Sequence, residues 1–333
     1  MDSEQTVVLV PGVAAPAGIN TIKSLKMVKF NGKIIGTDVD SLAPGAFMAD
    51  IFSIMPEAAE EAESLFIDKL FELVKTHRIS VLMPSSGFDI YPYSKYRKEL
   101  QELGAYAVVS DRDVLEICRD KMRTYQELLP RFRVPFTTTE PNKIPSFPVI
   151  AKPRCGKGSR DVTMIENESD LRYVTSKYHD MIFQRYLPGI EYTIDVLSDL
   201  NKEPLFAVPR IRLQTKGGIS TKGKIVRNQK MEEVCMNIAK SIGIRGPCCI
   251  QMKETEDNEP QMVEVNARLG GGTIFTTLAG ANIPALILDL VEGKEISVPK
   301  ISEVTVIRYF EEIVVHDLLG PRTPPTPTAH TGQ

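Results

Sequence analysis

The stretch QMVEVNARLGGG, residues 261–272, carries a carboxylate, an amide and a guanidinium at every second position. Successive side chains of a strand point to opposite faces, so Glu264, Asn266 and Arg268 share one face. The apolar residues that alternate with them, from Val263 to Ala267, share the other face. Charged groups are rarely buried unless they pair or bind a metal. The polar face is therefore either an ordinary solvated strand face or the wall of a site for an anionic ligand.

The same strand is the second arm of a predicted hairpin, PCCIQMKETEDNEPQMVEVNAR. If Asp257 and Asn258 form a two-residue loop, Gln251 lies directly across from Glu264, with Cβ atoms about 5 Å apart. Gln251, Glu264 and Asn266 then suit magnesium, which takes oxygen ligands and completes its shell with waters and substrate phosphates. The oxygen and amide set argues against zinc, as do only 4 histidines. A surface hairpin is the alternative, and a loop of another length would shift the register.

The composition describes an ordinary globular chain of 333 residues, 42% hydrophobic and 25% charged, long enough for two or three domains. A net charge of −3 gives no overall field that would attract nucleic acid or an anionic membrane. The 5 cysteines show no CxxC spacing, which suits reduced thiols in the cytoplasm. The N-terminus lacks a cationic and apolar leader, and no stretch approaches the length of a membrane span. We therefore expect a cytoplasmic protein without membrane or nucleic-acid partners.

Strands and helices alternate in the first third of the sequence. The predicted strands are TVVLV, GKIIGTDVD, SVLMPSS and YAVVS, and the predicted helices are INTIKSLKMV, AAEEAESLFIDKLFELVKTHRI and YSKYRKELQEL. Such alternation predicts a parallel sheet covered on both sides, a doubly wound domain of Rossmann type over residues 1–112. Gly12 and Gly18 in the first turn do not give GxGxxG. A nicotinamide-dependent dehydrogenase is therefore the less supported alternative.

The pattern changes to hairpins after DRDVLEICRDKMRTYQELL, which predicts one or two helices, and the Pro-rich connector VPFTTTEPNKIPSFP. PVIAKPRCGKGSRDVTMI predicts two strands around a loop with Gly156, Gly158 and Ser159 at its tip. MIFQRYLPGIEYTIDVLSD predicts a strand, a short linker and another strand, and MEEVCMNIAKSIGI predicts a helix that Gly243 ends. The Pro-rich end, residues 316–333, is expected to be a disordered tail.

Four segments occur in the order and spacing of the ATP-grasp superfamily: Lys121 in CRDKMRTYQ, then VIAKPRCGKGSRDV, FQRYLPGIEYTIDV and QMVEVNARLGGG. The chain most resembles the carbamoyl-phosphate-synthase-type branch and its stand-alone amino-acid ligase relatives, over roughly residues 5–315. The resemblance implies an α/β and α+β fold, with a Rossmann-like pre-ATP-grasp domain at 1–112 before a two-lobed ATP-grasp domain at 113–315. Within the latter it implies a lid at about 120–186 and a C-terminal lobe at about 187–315.

The resemblance also implies the site residues. Those implied for the ATP phosphates are Lys121, Lys152 and the loop from Arg154 to Ser159, including Gly158. Those implied for the nucleoside are Gln184, the backbone of Arg185 and Leu187, and Glu191 at the ribose hydroxyls. Those implied for catalysis are Arg268 at the transferring phosphoryl group, Lys152, and Arg210 at a substrate carboxylate or acyl phosphate. Gln251, Glu264 and Asn266 would carry Mg²⁺, with Mn²⁺ as an alternative ion.

The residues themselves leave alternatives at several of these positions. Lys152 lies where a strand enters a glycine-containing loop, which suits phosphate binding beside backbone N–H groups. Lys121 and Glu191 could instead be solvated, and Arg210 and Arg212 in PRIRLQTKGGIS could form an exposed basic strand. Many relatives have glutamate where Gln184 stands, which leaves the nucleotide preference open. The segment GFDIYP replaces a Glu-Leu pair of many relatives, so no substrate contact is carried onto it.

The resemblance implies an ATP-dependent ligase that joins a small carboxylate, such as an amino acid, to an amine through an acyl phosphate. The chemistry needs positioning and charge neutralisation, so the lack of any triad spacing agrees with it. Carbamoyl-phosphate-synthetase-like phosphorylation of bicarbonate is the rival within the family; it normally uses two ATP-grasp halves and would need a homodimer. A nucleotide-binding regulator without turnover is the alternative from another class.

Overall fold

The computed structural model describes residues 5–156, 158, 160–257 and 259–315. Ser159, Asn258 and the expected tail at 316–333 lie outside the described residues. Three sheets, of five, four and six strands, are built from successive parts of the chain. Within the described ranges, no helix is both long enough and apolar enough to cross a bilayer.

The first sheet is parallel, with strand order β3-β2-β1-β4-β5. Its elements are β1 (Val7–Pro11), α1 (Pro16–Met27), β2 (Lys33–Asp38), β3 (Ile51–Ile54), α2 (Glu63–His77), β4 (Val81–Leu82), α3 (Ile90–Lys95), α4 (Arg97–Glu102) and β5 (Tyr106–Ala107). The predicted parallel sheet is confirmed. Strand β3 was missed because it has only 4 residues, none of them buried. The single helix predicted for YSKYRKELQEL is wrong, since α3 ends and α4 begins around Tyr96.

The second sheet is antiparallel, with strand order β6-β9-β7-β8. Its elements and the helices before it are α5 (Arg112–Arg119), α6 (Lys121–Leu128), β6 (Thr137–Thr138), β7 (Val149–Pro153), β8 (Thr163–Ile165), α7 (Glu168–Lys177) and β9 (Met181–Arg185). One face of this sheet packs on α7 through a small apolar core that includes Val149, Phe183 and Val174. The opposite face carries the polar side chains described below.

The third sheet is also antiparallel, with strand order β14-β13-β10-β11-β12-β15. Its elements and helices are β10 (Glu191–Ser198), β11 (Pro204–Lys216), β12 (Ile219–Ile225), α8 (Gln229–Ile242), β13 (Pro247–Glu254), β14 (Pro260–Asn266), α9 (Thr273–Leu278), α10 (Ile283–Val291) and β15 (Thr305–Ile307). Gly243 ends α8 in the left-handed region (φ +85°), as the sequence predicted. The buried stripe of α8 joins the apolar face of this sheet.

Two large cores connect the parallel sheet to the six-stranded sheet. One contains Leu9 and Leu82 together with Ile194 and Ile250, and the other contains Val10 together with residues of α9 and α10. The four-stranded sheet has a separate core. The first and third sheets therefore share their apolar interior, whereas the second has a core of its own.

The hairpin of β13 and β14 has the predicted facing pair but not the predicted turn. Gln251 lies directly opposite Glu264. Pairing near the turn joins Glu254 to Pro260, and the N–H of Thr255 donates to the carbonyl of Glu259, so the two-residue loop is wrong. A β-bulge adds one residue to β14 between the pairing at Gln251 and the pairing near the turn. This extra residue offsets the difference in loop length.

The bulge also changes which side chains share the apolar face of β14. Met262 is buried with Val265 and Ala267, whereas Val263 is only half-buried. The expectation that Val263 lies with Val265 is therefore wrong, because the extra residue falls between Met262 and Glu264.

Candidate active site

The polar face of the six-stranded sheet holds one continuous row of side chains across four strands. Glu264 pairs with Gln251, Gln251 with Thr193, and Thr193 with Arg210. Directly paired residues of antiparallel strands project to the same face. Neighbouring rows carry Glu191 beside Lys253, and Asp195 beside Cys249 and Asn266. The alternation noted at Glu264 thus belongs to a broad polar surface.

Hydrogen bonds connect the three polar residues of the QMVEVNARLGGG stretch. Asn266 Nδ2 donates to Glu264 Oε1 (3.0 Å), and Arg268 Nη2 donates to Asn266 Oδ1 (3.3 Å). Arg268 Nη1 donates to the carbonyl of Leu269 (2.8 Å). Carboxylate and amide oxygens accept more than one partner. Glu264 and Asn266 therefore keep acceptor capacity for a cation.

The donor set fits a hard cation only as a partial shell. Within the described residues, no group of three or more His, Cys, Asp or Glu side chains could hold a metal ion. Glu264 is the one carboxylate of the proposed set, and Gln251 and Asn266 add amide oxygens. Magnesium is commonly bound by one or two carboxylates together with substrate phosphates. The residues fit a metal that arrives with a nucleotide.

Lys152 and Gln184 occupy the polar face of the four-stranded sheet. Lys152 Nζ donates to Gln184 Oε1 (2.9 Å), and Gln184 Nε2 donates to Thr137 Oγ1 (3.0 Å). Lys152 is 6% exposed and Gln184 7% exposed. Both polar ends of Gln184 are thus used inside the protein. Its amide fixes the position of the lysine ammonium.

The pKa of Lys152 depends on its burial and on charged groups of other elements. Burial lowers its pKa to about 8, the carboxylates of Glu264 and Glu191 partly oppose that shift, and the ammonium of Lys121 adds to it. Glu264 and Glu191 belong to the six-stranded sheet, whereas Lys152 belongs to the four-stranded sheet. The fold therefore brings Glu264, Glu191 and Lys121 close enough for their charges to act on Lys152.

Lys121 lies against the glycine-containing loop that follows β7. Its N–H donates to the carbonyl of Arg154 (3.1 Å), and its Nζ donates to the carbonyl of Gly156 (3.1 Å). Gly158 is exposed and has φ +68°, a conformation that suits glycine. Ser159, the remaining predicted loop residue, lies outside the described residues.

The base of this loop is held by a bidentate ion pair. Arg154 Nε and Nη2 donate to the carboxylate of Asp120 at 2.6 to 2.9 Å. Asp120 also caps α6 by accepting from the N–H groups of Met122 and Arg123. The guanidinium of Arg154 therefore anchors the base of the loop.

The residues predicted for the nucleoside differ in their contacts and burial. Glu191 forms an ion pair with Arg212, which also donates to the carbonyl of Gly218 (2.7 Å). The N–H of Arg185 donates to the carbonyl of Phe136 (2.8 Å), so that N–H serves the sheet rather than a ligand. Leu187 is buried.

Arg210 lies beneath the site rather than at its surface. Its side chain is 2% exposed, Nη1 donates to Ser220 Oγ (2.7 Å), and the guanidinium stacks 5.0 Å from the ring centre of Phe275. A Cβ added to Gly272 would meet Arg210 Nη2 at 2.1 Å. The third glycine of QMVEVNARLGGG is therefore required by the position of this buried arginine.

Four further polar or aromatic residues of this region were missed in the sequence. They are Asn20, which donates to the carbonyl of Gly271 (2.8 Å), Asp195, which accepts from Thr276 (2.6 Å), Phe275, and Arg308. Asp195 could have been found, because it continues the alternation of Glu191 and Thr193 on β10. Asn20 and Arg308 carried no local signal, since tertiary packing alone brings them to the glycine loop between β14 and α9, residues 270–272.

Comparison with known proteins agrees with this geometry. Residues 177–313 match a family model described as ATP-grasp in the biosynthetic pathway with Ter operon. The chain is 23% identical over 304 residues to carbamoyl-phosphate synthase of Methanobrevibacter smithii, covering 81% of this chain and 82% of that protein.

Solved structures share the fold. Biotin carboxylase of Campylobacter jejuni, solved as a β,γ-ATP complex, has a TM-score of 0.70 at 15% identity, covering 89% of this chain and 73% of that one. The biotin carboxylase domain of 2-oxoglutarate carboxylase from Hydrogenobacter thermophilus, in complex with MgADP and bicarbonate, has 0.68 at 15%, covering 88% and 71%. L-amino acid ligase of Bacillus licheniformis has 0.62 at 16%, covering 87% and 74%.

Residues 177–313 match an ATP-grasp family model, as the motifs predicted, and the chain shares the fold of these solved structures.

Proposed function

We propose that the protein is an ATP-dependent carboxylate–amine ligase. Mg-ATP would phosphorylate a substrate carboxylate, and an amine would then attack the acyl phosphate, with release of ADP and phosphate. The observation that carries the proposal is the approach of Lys152, from one sheet, to Glu264 and Glu191 of the other. A cation beside carboxylates in a cleft between two sheets is suited to a magnesium–nucleotide complex, whose phosphates and metal carry opposite charges.

The roles of the residues follow from their positions. Lys152 and Lys121 would bind phosphate oxygens, and Gln251, Glu264 and Asn266 would hold the divalent ion. That ion would neutralise charge on the terminal phosphates. Arg268, hydrogen-bonded to Asn266 and to a backbone carbonyl, would present its remaining N–H groups to the transferring phosphoryl group.

The nucleoside would lie nearer the four-stranded sheet, beside Leu187, Glu191 and the backbone of Arg185. Gln184 would act there by orienting Lys152, and Arg210 would support the glycine loop from below. In these roles Gln184 does not contact adenine directly, and Arg210 does not contact a substrate anion. Both differ from the roles that the resemblance implied. The loop containing Gly158 would close over the phosphates from its anchored base at Arg154.

The thiols of this region are poor candidates for covalent catalysis. Burial raises the pKa of Cys249, the thiol on the polar face, to about 11, and raises the pKa of Cys248 further. The thiolate is the nucleophilic form of cysteine. Direct transfer of a phosphoryl group to substrate, with no enzyme-bound intermediate, is consistent with these protonated thiols.

The arrangement into domains proposed from the sequence is supported by the separate cores. The lid at about 120–186 would correspond to the four-stranded sheet with its own apolar core, moving against a C-terminal lobe at about 187–315. A Rossmann-like domain at 1–112 would be fixed to that lobe by the shared cores. Cytoplasmic location and a homodimer stay predictions from the sequence.

Phosphorylation of bicarbonate is the second candidate function. The similarity to a carbamoyl-phosphate synthase over most of both chains favours it. In this case bicarbonate would take the place of the organic carboxylate, and ammonia or a small amine would be the acceptor. The same phosphate-binding and metal-binding residues would serve both reactions.

The experiment that tests the proposal is an assay of ATP-dependent phosphate release with a panel of amino acids, with bicarbonate plus ammonium as a separate arm. Product mass spectrometry identifies the bond formed. We expect Lys152→Met and Glu264→Ala to lose at least about a hundredfold in rate, because each removes charge that faces the transferred phosphate. ATP binding without turnover on any substrate would favour a nucleotide-binding regulator, and undiminished turnover in either variant would contradict that residue's role.

A further inference from the structure

A cavity of about 340 Å³ lies outside the candidate active site. It is lined by the end of α3, the first turn of α4 and the start of α5, and it shares no residue with the site described above. Its charged lining residues are mostly cations: Lys95, Arg97, Lys98 and Arg112, with the carboxylates of Glu99 and Asp111. A concave surface lined mainly by one sign of charge attracts ions of the other sign.

The carboxylate of Asp111 already has three cationic partners. Arg97 Nη1 and Lys202 Nζ each lie 2.6 Å from one of its oxygens, and Arg245 Nη2 lies 3.5 Å away. Partial burial raises the pKa of Asp111, but hydrogen bonds from Lys202 and Arg97 and the nearby guanidinium charges outweigh burial and lower the pKa to about 2. Asp111 is therefore ionised at neutral pH, and its single charge is shared among three cations.

The cations around Asp111 come from two parts of the fold. Arg97 belongs to α4, whereas Lys202 lies in the turn between β10 and β11, and Arg245 lies between α8 and β13. The N–H of Arg245 donates to Ser110 Oγ (3.0 Å), which fixes this junction next to the cavity. An anion bound here would therefore interact with groups of both parts.

The cations outnumber the carboxylates even after the nearest ion pair is set aside. Lys95 is paired with Glu63. Lys98 and Arg112 are exposed, and neither forms an ion pair within the described residues. Glu99, the other carboxylate of the cavity, is exposed as well. Like charges held close together repel, so a bound anion would be stabilised by the surplus.

The cluster is also short of hydrogen-bond acceptors. Arg97 Nη2 donates to the carbonyl of Ser110 (3.0 Å) and to Ser94 Oγ (3.3 Å). Nε of Arg97 and Nε of Arg245 are buried, and neither has an acceptor in the part of the chain that the structure describes. Buried N–H groups are usually paired. The cavity therefore lacks acceptor atoms as well as negative charge.

A phosphate monoester would supply both. It carries close to two negative charges near neutral pH and has three oxygens that accept hydrogen bonds. Guanidinium groups bind phosphate oxygens in pairs, and ammonium groups bind them as point charges. A carboxylate would bring only one negative charge to the same group of cations. The chemistry of the cavity therefore favours a phosphate group.

Helix α5 connects this cavity to the glycine-containing loop that follows β7. The helix has 8 residues, begins after Asp111 and ends before Asp120. Asp120 holds Arg154 at the base of that loop, and Lys121 follows it. A ligand that orders the start of α5 would reduce the conformational freedom that is lost at its other end when a nucleotide binds.

We propose that this cavity is a regulatory site for the phosphate group of a small molecule, and that its occupancy strengthens nucleotide binding through α5. The site itself goes beyond the proposed function, because it shares no residue with the candidate active site. The effect on nucleotide binding rests on the proposed function.

The test of the site is a thermal-shift titration of the full chain with glucose 6-phosphate and with potassium phosphate, against potassium chloride at equal ionic strength. The wild type is compared with Arg112→Gln, Lys98→Gln, Lys152→Met and Lys75→Gln. Lys75 is exposed in the last turn of α2 and does not line the cavity, so it controls for the loss of one positive charge. Lys152→Met removes the cation proposed for the ATP phosphates.

We expect glucose 6-phosphate to stabilise the wild type, Lys75→Gln and Lys152→Met. In Arg112→Gln and Lys98→Gln its apparent Kd is expected to rise at least about tenfold, as for the loss of one charged hydrogen-bonding partner. A weaker response to inorganic phosphate identifies a phosphorylated molecule as the ligand, and an equal response identifies the phosphate group alone.

The test of the effect on nucleotide binding is a calorimetric titration with the magnesium complex of a non-hydrolysable ATP analogue, with and without saturating glucose 6-phosphate. We expect glucose 6-phosphate to lower the Kd for the analogue several-fold in the wild type and in Lys75→Gln, and to leave it unchanged in Arg112→Gln.

The site would be overturned if neither phosphate compound stabilises the wild type, or if Arg112→Gln and Lys98→Gln respond as the wild type does. Loss of the response in Lys152→Met would also overturn it, since the anion would then lie in the candidate active site. A Kd for the analogue that ignores glucose 6-phosphate would overturn the link through α5. Absence of analogue binding to the wild type would instead contradict the proposed function, so the failures are distinguishable.

Discussion

At the residue scale, the titration of the Lys152 ammonium tests whether this group binds the phosphates. Its pKa of about 8 lies below its value of 10.5 in an unfolded chain, so the charge is lost as the pH rises through about 8. Because phosphates require the charged form, we expect the affinity of the wild type for MgADP to fall about tenfold between about pH 7 and 9. Calorimetric titration across this range measures the change.

Lys152→Met is the control for that profile, since it should bind MgADP more weakly and without the pH dependence. The lowered pKa of Lys152 has the opposite effect on the free energy of unfolding, which rises with pH where the affinity for MgADP falls. Between about pH 8 and 10.5 the unfolded chain binds more protons than the folded one, so the contribution of Lys152 to the free energy of unfolding rises with pH. A wild-type affinity that stays flat through pH 8 would show that Lys152 does not contact the phosphates.

At the element scale, the glycine loop between β14 and α9 is shaped by a buried side chain. Gly272→Ala would place a methyl group 2.1 Å from Arg210 Nη2, and the buried guanidinium has little room to move. We expect this variant to lose about 1 to 3 kcal/mol in the free energy of unfolding, as for other overpacked sites. Urea unfolding measures the loss.

Gly271→Ala is the matched control, because the nearest atom to its added methyl group is Pro16 Cβ at 3.7 Å, an ordinary contact. We expect it to unfold within about 1 kcal/mol of the wild type. Equal stability of the two variants would mean that Arg210 does not occupy the position described.

The sequence predicted the elements better than the details of their junctions. An assumed two-residue loop set Glu264 opposite Gln251, and this pairing is confirmed although the loop itself is wrong, because a bulge makes up the difference in register. A bulge depends on how a strand meets the core, since it lets Met262 join the buried face, and no local residue pattern announces it. Strand β3 was missed because four half-exposed residues give no periodicity.

The site was predictable where its residues alternate within a motif, and unpredictable where distant segments converge. Lys152 and Glu264 were predicted because each follows a local pattern, and in the fold the charge of Glu264 acts on Lys152. The burial of Arg210 was not foreseen, because an arginine on a strand face looks the same whether a helix and a glycine loop cover it or not. Arg308 was missed because only tertiary packing brings it to Gly271 and Phe275.

At the scale of the whole molecule, the parallel sheet supports the glycine loop through α1. Asn20 Nδ2 donates to the carbonyl of Gly271 (2.8 Å), and one turn later Ser24 shares a hydrogen bond of 2.9 Å with Thr277. We expect Asn20→Ala to lower the rate of ATP-dependent phosphate release several-fold while leaving the Kd for MgADP unchanged, because the loop lies away from the nucleoside. The loss of one hydrogen bond should cost about 1 kcal/mol of stability.

Ser24→Ala controls for stability in that comparison, since it removes a buried hydrogen bond of the same helix without touching Gly271. It should lose a similar amount of stability and keep the wild-type rate. Equal rates in the two variants would indicate that the parallel sheet stabilises the fold without tuning the site.

The proposed function depends on the divalent ion that Gln251 and Glu264 would hold. The most direct measurement is calorimetric binding of a non-hydrolysable ATP analogue, with magnesium and with EDTA, to the wild type, Glu264→Gln and Glu256→Gln. Glu256 is an exposed carboxylate in the turn of the same hairpin. Magnesium should strengthen binding to the wild type and Glu256→Gln, and this gain should fall at least about tenfold in Glu264→Gln. A full magnesium-dependent gain in Glu264→Gln would contradict the central claim.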